Sequence, residues 1–283
     1  MCSDNHSLDI FDKYIIQGEP EKQGRAANWK IAIGLQDVDG LTPSGYLLAN
    51  AEKHINGKMS IQDVENSIRE YYRVREERDE PRTGEMEADK VSTQITRILG
   101  AEGFSLSPTE LQNIHRVLFC GVYAHAGKFR DYNFTKKEYV LNGESVIYSS
   151  FENIYDTLVF DFTEERKYSY KGKSKEDAAR RIARFISGLW QIHPFCEGNT
   201  RTIAVFTIKY LRKFGFSISN ECFAKNSWYF RNALVRANYD HIPLGIASDY
   251  SYLDNFFENL LFAAEHELKN RYLIIDPDMT GRM

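Results

Sequence analysis

The chain has 283 residues, of which 42% are hydrophobic, 13% aromatic and 27% charged, and its formal net charge is −4. The aromatic content excludes a disordered chain, and the negative charge argues against nucleic acid as a direct partner. The four cysteines lie far apart without a CxxC spacing, so neither a zinc site nor a disulfide framework is indicated. Because the N-terminus lacks a leader pattern and no run of 18 apolar residues occurs, we expect a cytoplasmic protein without a membrane partner.

The predicted elements in the first third of the chain are short helices. Residues 1–26 are polar and are predicted to form a weakly ordered arm. A helix near Trp29, another capped by Thr42 and a third capped by Ser60 define a small helical module at residues 27–72. Residues 73–90 mix both charges densely and are predicted to be a linker or a solvated helix extension.

A larger domain follows at residues 91–275, with its core at 107–240, and it is predicted to be helical except at one place. In residues 134–149, FTKKEYVLNGESVIYS, apolar positions alternate on either side of an Asn-Gly pair, which is a strong hairpin signal. We therefore predict one β-hairpin there. The helices after it are predicted at residues 151–163, 174–192, 200–214, 227–239 and 252–271. Residues 276–283 are predicted to be frayed.

The segment HPFCEGNTRT, residues 193–202, joins two of these helices and carries the candidate chemistry. The first N–H groups of a helix lack internal partners and lie at the positive end of the helix dipole, so they attract an anion. Gly198 lets the backbone approach a phosphate, and Arg201 can bind phosphate oxygens with its planar fork. Glu197 is a carboxylate of the kind that holds Mg²⁺ beside substrate phosphates. Since His193 titrates near neutrality, it can remove a proton from an attacking hydroxyl.

The same segment also admits a structural interpretation. In that interpretation His-Pro ends one helix, Gly-Asn turns the chain, and Glu197 pairs with Arg201 on the surface. The joint presence of four reactive side chains and a glycine at a helix start favours phosphate chemistry.

Residues 193–201, HPFCEGNTR, resemble the signature of the Fic family, HPFx(D/E)GNGR. Two further segments, IHRVLF at 114–119 and YAHAGKFR at 123–130, resemble other parts of the Fic core, so the resemblance covers about residues 91–245. It implies an all-α fold, a helical bundle in which a short β-hairpin flap aligns the target segment. The flap residues would be Lys136, Glu138, Tyr139 and Val140.

The resemblance implies protein adenylylation, in which AMP passes from ATP to a Tyr, Thr or Ser hydroxyl of a target protein. His193 would deprotonate that hydroxyl, and Glu197 would hold Mg²⁺. The nucleotide- and phosphate-binding residues would be Gly198, Asn199, Thr200, Arg201, Tyr229 and Asn232. For Tyr229 and Asn232, packing in the core is the alternative.

Two positions depart from the family pattern. The second glycine of the signature is Thr200 here, and the second arginine, expected three residues after Arg201, is Ala204. In the family that arginine contacts the terminal phosphate and pairs with an inhibitory Glu. Transfer of a different nucleotide or of a phosphoryl group therefore stays open as an alternative, as does a catalytically silent binding protein.

The N-terminal helices are similar to a Fic antitoxin module, whose motif is (S/T)xxxE(G/N). Asp39 and Gly40 stand at the end of this motif, with Leu35 where Ser or Thr belongs. The inhibitory carboxylate would then be one methylene shorter than Glu, and its arginine partner would be missing. We expect a docked module that inhibits the site weakly. The sequence leaves self-association into a homo-oligomer open.

Overall fold

The computed structural model describes residues 11–275, apart from residue 18, residues 79–83 and residues 217 and 219. In this part the chain forms eleven α-helices and no paired strands, so the prediction of an all-α fold is confirmed. The helices are α1 (Asp12–Gln17), α2 (Pro20–Gly34), α3 (Gly45–Ile55), α4 (Ile61–Glu77), α5 (Gly84–Gly100), α6 (Pro108–Phe119), α7 (Ile154–Lys167), α8 (Lys175–Ile192), α9 (Asn199–Lys213), α10 (Asn220–Ala237) and α11 (Ser251–Phe262). None of these helices has the length and apolarity needed to cross a bilayer.

Helical structure begins earlier than the polar composition of the N-terminus predicted. Helices α1 and α2 occupy part of the predicted arm, whose residues 1–10 lie outside the described residues. Phe11 anchors this region because its side chain is fully buried, and Lys30 of α2 forms an ion pair with Asp12 of α1. Pro20 opens α2 at a position where its missing N–H costs no helical hydrogen bond. Burial of Phe11 and the ion pair of Asp12 therefore hold in place a segment whose polar composition predicts weak order.

The charged segment 73–90 is helical at residues 73–77 and 84–90, and it is not a linker at its C-terminal end. Its first residues continue α4, its last residues begin α5, and residues 79–83 lie outside the described residues. Asp89 is completely buried, accepts a hydrogen bond from the Ser44 N–H at 2.8 Å and another from the Tyr72 hydroxyl at 2.8 Å. Burial raises the pKa of Asp89 despite these bonds. Ser44 also caps α3, in place of the predicted Thr42.

Two hydrophobic clusters hold the helices together. The larger one is built on α5 to α11, and the smaller one joins α2, α3 and α4. Helix α2 belongs to both, since Ile31 and Leu35 beside its end face the larger cluster while Trp29 and Ile33 face the smaller one. Helix α9 is buried along its whole length from Asn199 to Leu211. The position of its N-terminus is therefore fixed by packing on every side.

Residues 134–149 form a loop around a tight turn, and the predicted β-hairpin is wrong. A 3-10 turn spans Tyr139–Leu141, and the Glu138 N–H donates to the Glu144 carbonyl at 2.9 Å, but no ladder continues within these residues. Val140 and Leu141 are both buried. Two consecutive buried side chains cannot belong to one face of a strand, whose side chains alternate. The burial of Val140 and Leu141 therefore determines the conformation of the loop, and the alternation of apolar residues around Asn-Gly does not.

Candidate active site

The candidate base His193 is the residue at which α8 ends. Its backbone is left-handed, with φ 50° and ψ 58°, and its N–H donates to the Trp190 carbonyl at 3.0 Å. Arg130 secures the other side of this residue, because its Nε donates to the His193 carbonyl oxygen at 2.8 Å. Other N–H groups of Arg130 donate to the carbonyls of Tyr132 and Ser149. Arg130 is thus a buried clamp that fixes the backbone of the base.

The imidazole of His193 lies in an aromatic enclosure and is only 4% exposed. Tyr148 stacks on it with ring centroids 4.1 Å apart, while Trp190 and Phe134 meet it edge-on. Its Nδ1 is buried without a hydrogen-bond partner among the described residues. Burial lowers the pKa of His193 well below its ordinary value, and the charge of Lys136 lowers it further. The imidazole is therefore neutral at physiological pH and able to accept a proton.

The loop from His193 to Gly198 is held by its own side chains. Asn199 bridges it, since its Oδ1 accepts from the Phe195 N–H at 3.0 Å and its Nδ2 donates to the Phe195 carbonyl at 2.7 Å. Gly198 has φ 74°, and a Cβ there would lie 2.3 Å from Cζ of Phe119. Only glycine fits this position without rearrangement. Both residues shape the loop, and the amide of Asn199 is fully engaged within it.

His115 supports the same loop, a role that the sequence did not reveal. Its Nδ1 accepts from the Gly127 N–H at 2.8 Å, so its proton lies on Nε2, which donates to the Glu197 carbonyl at 3.0 Å. Phe195 stacks on the ring with centroids 3.8 Å apart. Burial lowers the pKa of His115 to about 4. The neutral imidazole therefore fixes both the aromatic anchor and the backbone of the loop.

The N-terminus of α9 opens into a narrow cavity beside the base. Gly198 is the N-cap of this helix, and in the described part of the chain no side-chain hydrogen bond caps this end. The cavity, of about 10 Å³, has room for roughly one water molecule. It is lined by Asp39, Lys136, His193, Gly198, Asn199, Thr200 and Arg231. A wider groove of about 630 Å³ shares three of these residues, Asp39, Lys136 and Arg231, and continues past Trp228. Uncapped N–H groups and two cations make the narrow cavity attractive to an anion.

Thr200 and Arg201 begin α9 with side chains that already have partners. The Thr200 hydroxyl accepts from Trp190 Nε1 at 2.9 Å. Arg201 is 1% exposed and lies between two carboxylates, with Nε 2.8 Å from Asp39 Oδ2 and Nη2 2.6 Å from Glu87 Oε1. The contact with Asp39 is an ion pair that lacks the angle of a hydrogen bond. Gln36 accepts from Nη1 at 3.2 Å, so the guanidinium is enclosed by protein groups.

This arrangement corrects one expectation about Asp39. The sequence placed its arginine partner three residues after Arg201, where Ala204 stands, and so assigned Asp39 no partner. In the structure Asp39 pairs with Arg201 itself. The 3-10 helix Leu35–Asp39, which ends at the left-handed Gly40, carries this carboxylate to the start of α9. The N-terminal module is therefore docked on the candidate site.

Glu197 is the carboxylate that the sequence assigned to a metal. Its side chain is 54% exposed, and Lys136 Nζ lies 3.5 Å from its Oε2. Within the described residues no group of three or more His, Cys, Asp or Glu side chains is arranged to hold a metal ion. A single carboxylate is nevertheless compatible with Mg²⁺, which takes its remaining ligands from substrate phosphates and water.

Tyr229 and Asn232 lie inside the core, and neither lines the two cavities. The Tyr229 hydroxyl donates to the Tyr252 carbonyl at 3.2 Å, and Asn232 Nδ2 donates to Asn270 Oδ1 at 2.8 Å. The residues of α10 that do line the groove are Trp228 and Arg231. The sequence did not single them out, although their spacing of three residues places them on one face of a helix.

The four predicted flap residues have different surroundings. Lys136 lines both cavities, Tyr139 is exposed, and Val140 is buried in the larger cluster. Glu138 is buried and forms an ion pair with Arg231, with Nη2 2.7 Å from Oε2. The loop therefore reaches the candidate site through Lys136 and Glu138.

A known family matches the part of the chain that holds this loop. Residues 105–211 match the model of the Fic/DOC family, so this part of the chain is a Fic domain. The matched segment contains the base, the loop and nearly all of α9.

Solved structures and one curated relative are similar to the chain. The N-terminal Fic domain of a Bartonella quintana cell filamentation protein has 22% identity and a TM-score of 0.48, and covers 62% of this chain and 80% of its own. BepC of Bartonella tribocorum, solved with bound AMPPNP, has 20% identity and a TM-score of 0.49, covering 62% and 84%. The ribonucleoside-diphosphate reductase small chain of Ostreid herpesvirus 1 (isolate France) is 29% identical over 130 residues, which are 43% of this chain and 22% of that protein. The chain thus spans about a fifth of that relative.

Proposed function

We propose that the chain is a protein adenylyltransferase, which moves AMP from ATP to a Tyr, Thr or Ser hydroxyl of a target protein. The observation that carries the proposal is the neutral, rigidly held His193 beside the uncapped N-terminus of α9. A base without charge accepts the proton of a hydroxyl, and a helix N-terminus stabilises phosphate oxygens. The two functions lie in one cavity, as in-line displacement at phosphorus requires.

The reaction forms one bond and breaks another at the α-phosphorus of ATP. The target oxygen bonds to that phosphorus while the bond to the bridging oxygen of the β-phosphate breaks, and pyrophosphate leaves. The hydroxyl proton passes to His193. Backbone N–H groups of Asn199 and Thr200 would bind phosphate oxygens; this is supported by their position, since both residues line the cavity at the first turn of α9.

Glu197 is the residue that would hold Mg²⁺. The ion would supply positive charge to the phosphates that leave. The carboxylate suits this role because it is half exposed and its neighbour Lys136 lines both cavities.

The target would contact the loop of residues 134–149. Tyr139 is 60% exposed and Ile147 is 82% exposed, which provides apolar surface next to the site. Hydrogen bonds within the protein use part of the loop backbone, such as the Glu138 N–H and the Val140 carbonyl, and the groups outside those bonds would pair with an extended segment of a partner.

We further propose that the docked N-terminal module inhibits the enzyme. The guanidinium of Arg201, which stands in the first turn of α9, is held by Asp39 and Glu87. The cavity beside His193 is too small for a phosphate group, and Asp39 forms part of its wall. Nucleotide binding therefore requires the Asp39 carboxylate to move.

Transfer from labelled ATP tests the activity. With ATP labelled at the α-phosphate, label should appear on the protein itself or on proteins of a cell lysate, and His193→Ala should abolish it. Label from the γ-phosphate would favour phosphoryl transfer instead. If neither label is transferred in the presence of lysate, by the unchanged chain or by Asp39→Ala, the chain is a binding protein and adenylyl transfer is refuted.

A second variant tests inhibition by the module. Asp39→Ala should raise label incorporation at least about tenfold, which corresponds to about 1.4 kcal/mol of lost inhibition. Asp37→Ala is the matched control, because Asp37 lies in the same 3-10 helix and lines the groove without contacting Arg201. Equal rates for the two variants would show that the Asp39 to Arg201 pair does not inhibit.

A further inference from the structure

Arg231 is a cation of the site that neither the loop nor the N-terminal module provides. It lies on α10, is 7% exposed, and lines both the narrow cavity beside His193 and the wider groove. Its Nη2 is 2.7 Å from Glu138 Oε2, and its guanidinium lies over the ring of Trp228 at 5.1 Å. One carboxylate and one aromatic face thus set the position of the fork.

A chain of contacts links this guanidinium to the base. Glu138 Oε1 accepts from the Tyr148 hydroxyl at 3.3 Å, and Tyr148 stacks on His193. Because Glu138 is buried and Tyr148 is partly buried, a change in the position of Arg231 is coupled to the aromatic enclosure of the base. The contacts therefore fix the position of the Arg231 guanidinium relative to the His193 imidazole.

The charges around the cavity indicate what this fork does. Among the residues that the structure describes, Arg201 has two carboxylates within ion-pair distance, Asp39 and Glu87, whereas Arg231 has one, Glu138. A guanidinium has five N–H donors, and the contacts of Arg231 with described residues use Nη2 and the face of the group. Its remaining donors can bind a phosphate without giving up Glu138.

From this arrangement we infer that Arg231 binds the β- and γ-phosphates of the nucleotide, and that it selects triphosphates over monophosphates. The inference rests on the proposed function. Since Arg231 lines the groove as well as the narrow cavity, it reaches the part of the ligand that extends away from His193. In this assignment Arg231 binds the pyrophosphate that leaves.

Nucleotide binding in the absence of a target protein tests the assignment. The affinities of ATP and AMP for the full chain would be measured by calorimetry in the Asp39→Ala background, where the docked carboxylate does not interfere. Arg231→Gln should weaken ATP binding by about 10- to 100-fold, the range for lost hydrogen bonds to a charged group, and should change AMP binding less than about twofold. Arg231→Lys should bind ATP with an affinity between that of the background protein and that of Arg231→Gln.

Two comparisons separate this role from a purely structural one. Arg236→Gln, the same change on the same helix at a residue that lines neither cavity, should leave both affinities unaltered. Arg231→Gln leaves the buried Glu138 carboxylate without its partner, and the additional change Glu138→Gln removes that unpaired charge. The double variant should still bind ATP more weakly than Glu138→Gln alone does.

The outcomes distinguish the two proposals. In one outcome ATP binds the Asp39→Ala protein, and Arg231→Gln weakens the binding of ATP and of AMP equally or weakens the binding of neither nucleotide. Either result refutes the role of Arg231 and leaves the proposed function standing. If ATP binds no more tightly than AMP before any change at Arg231, the assignment is also refuted. Failure of α-label transfer with normal ATP binding would refute the transferase alone.

Discussion

Replacement of Gly198 by alanine measures the cost of the turn that begins α9. The residue has φ 74°, and an L-residue in this conformation costs about 1–2 kcal/mol. The added Cβ would lie 2.3 Å from Phe119 Cζ, and overpacking of this kind costs about 1–3 kcal/mol more. We therefore expect Gly198→Ala to lower the free energy of unfolding by about 2–5 kcal/mol.

Gly215 provides a matched control at the other end of the same helix. It has φ 77°, and a Cβ there meets no atom within 4 Å. Gly215→Ala should therefore show only the backbone cost, about 1–2 kcal/mol. Urea unfolding at equal m-values gives both numbers, and the difference between them isolates the clash with Phe119.

A double variant completes the test of this contact. Phe119→Leu removes the ring edge and should restore part of the stability lost in Gly198→Ala, with a coupling energy of about 0.5–3 kcal/mol. If Gly198→Ala and Gly215→Ala destabilise the protein equally and the double variant shows no coupling, the proposed close approach does not constrain the loop. Activity of Gly198→Ala should be lost, because the N–H groups of α9 would shift from the cavity.

Two further predictions concern residues behind the site. The pKa of His115 is lowered to about 4 by burial, so its contribution to stability is fully present above its unfolded pKa of about 6.5 and is lost as the pH falls toward 4. The free energy of unfolding should fall by about 2 kcal/mol between pH 7.5 and 5 on this account, and His115→Gln should remove that part of the pH dependence in urea titrations. Arg130→Lys should reduce label transfer at least tenfold and destabilise the protein by about 2–4 kcal/mol, because the carbonyls of His193, Tyr132 and Ser149 lose donors. Full activity of this lysine variant would contradict the clamp.

Local signals in the sequence predicted the helices well and the hairpin poorly. The first residues of α6 and α8 were predictable from Ser107-Pro108 and from Ser174, because each serine is the N-cap of the helix that follows it. The hairpin depended on a two-residue alternation, whereas the chain buries Val140 and Leu141 together. The conformation of such a loop depends on the space that the neighbouring elements leave for it, and a local sequence pattern does not encode that space.

The same distinction explains which site residues the sequence identified. His193, Glu197 and Gly198 are close in sequence, so one motif contains them. The partners of Arg201 come from α5 and from the 3-10 helix before Gly40, which only the fold brings together. On α10 the sequence selected Tyr229 and Asn232, which face the core, because the orientation of a helix depends on what it packs against.

Helix α2 makes the N-terminal module inseparable from the larger helical domain, because it packs in both hydrophobic clusters. Since its side chains complete both hydrophobic clusters, removal of residues 1–72 would uncover the apolar faces of α5 and α10 and produce an aggregating fragment rather than an unregulated enzyme. If the docked module inhibits the site as proposed, relief of that inhibition must occur within a few residues, through a rotation of the Asp39 side chain or a shift of the turn that carries it. A signal that activates this protein needs to reach only that turn, and the rest of the molecule can stay folded as a single unit.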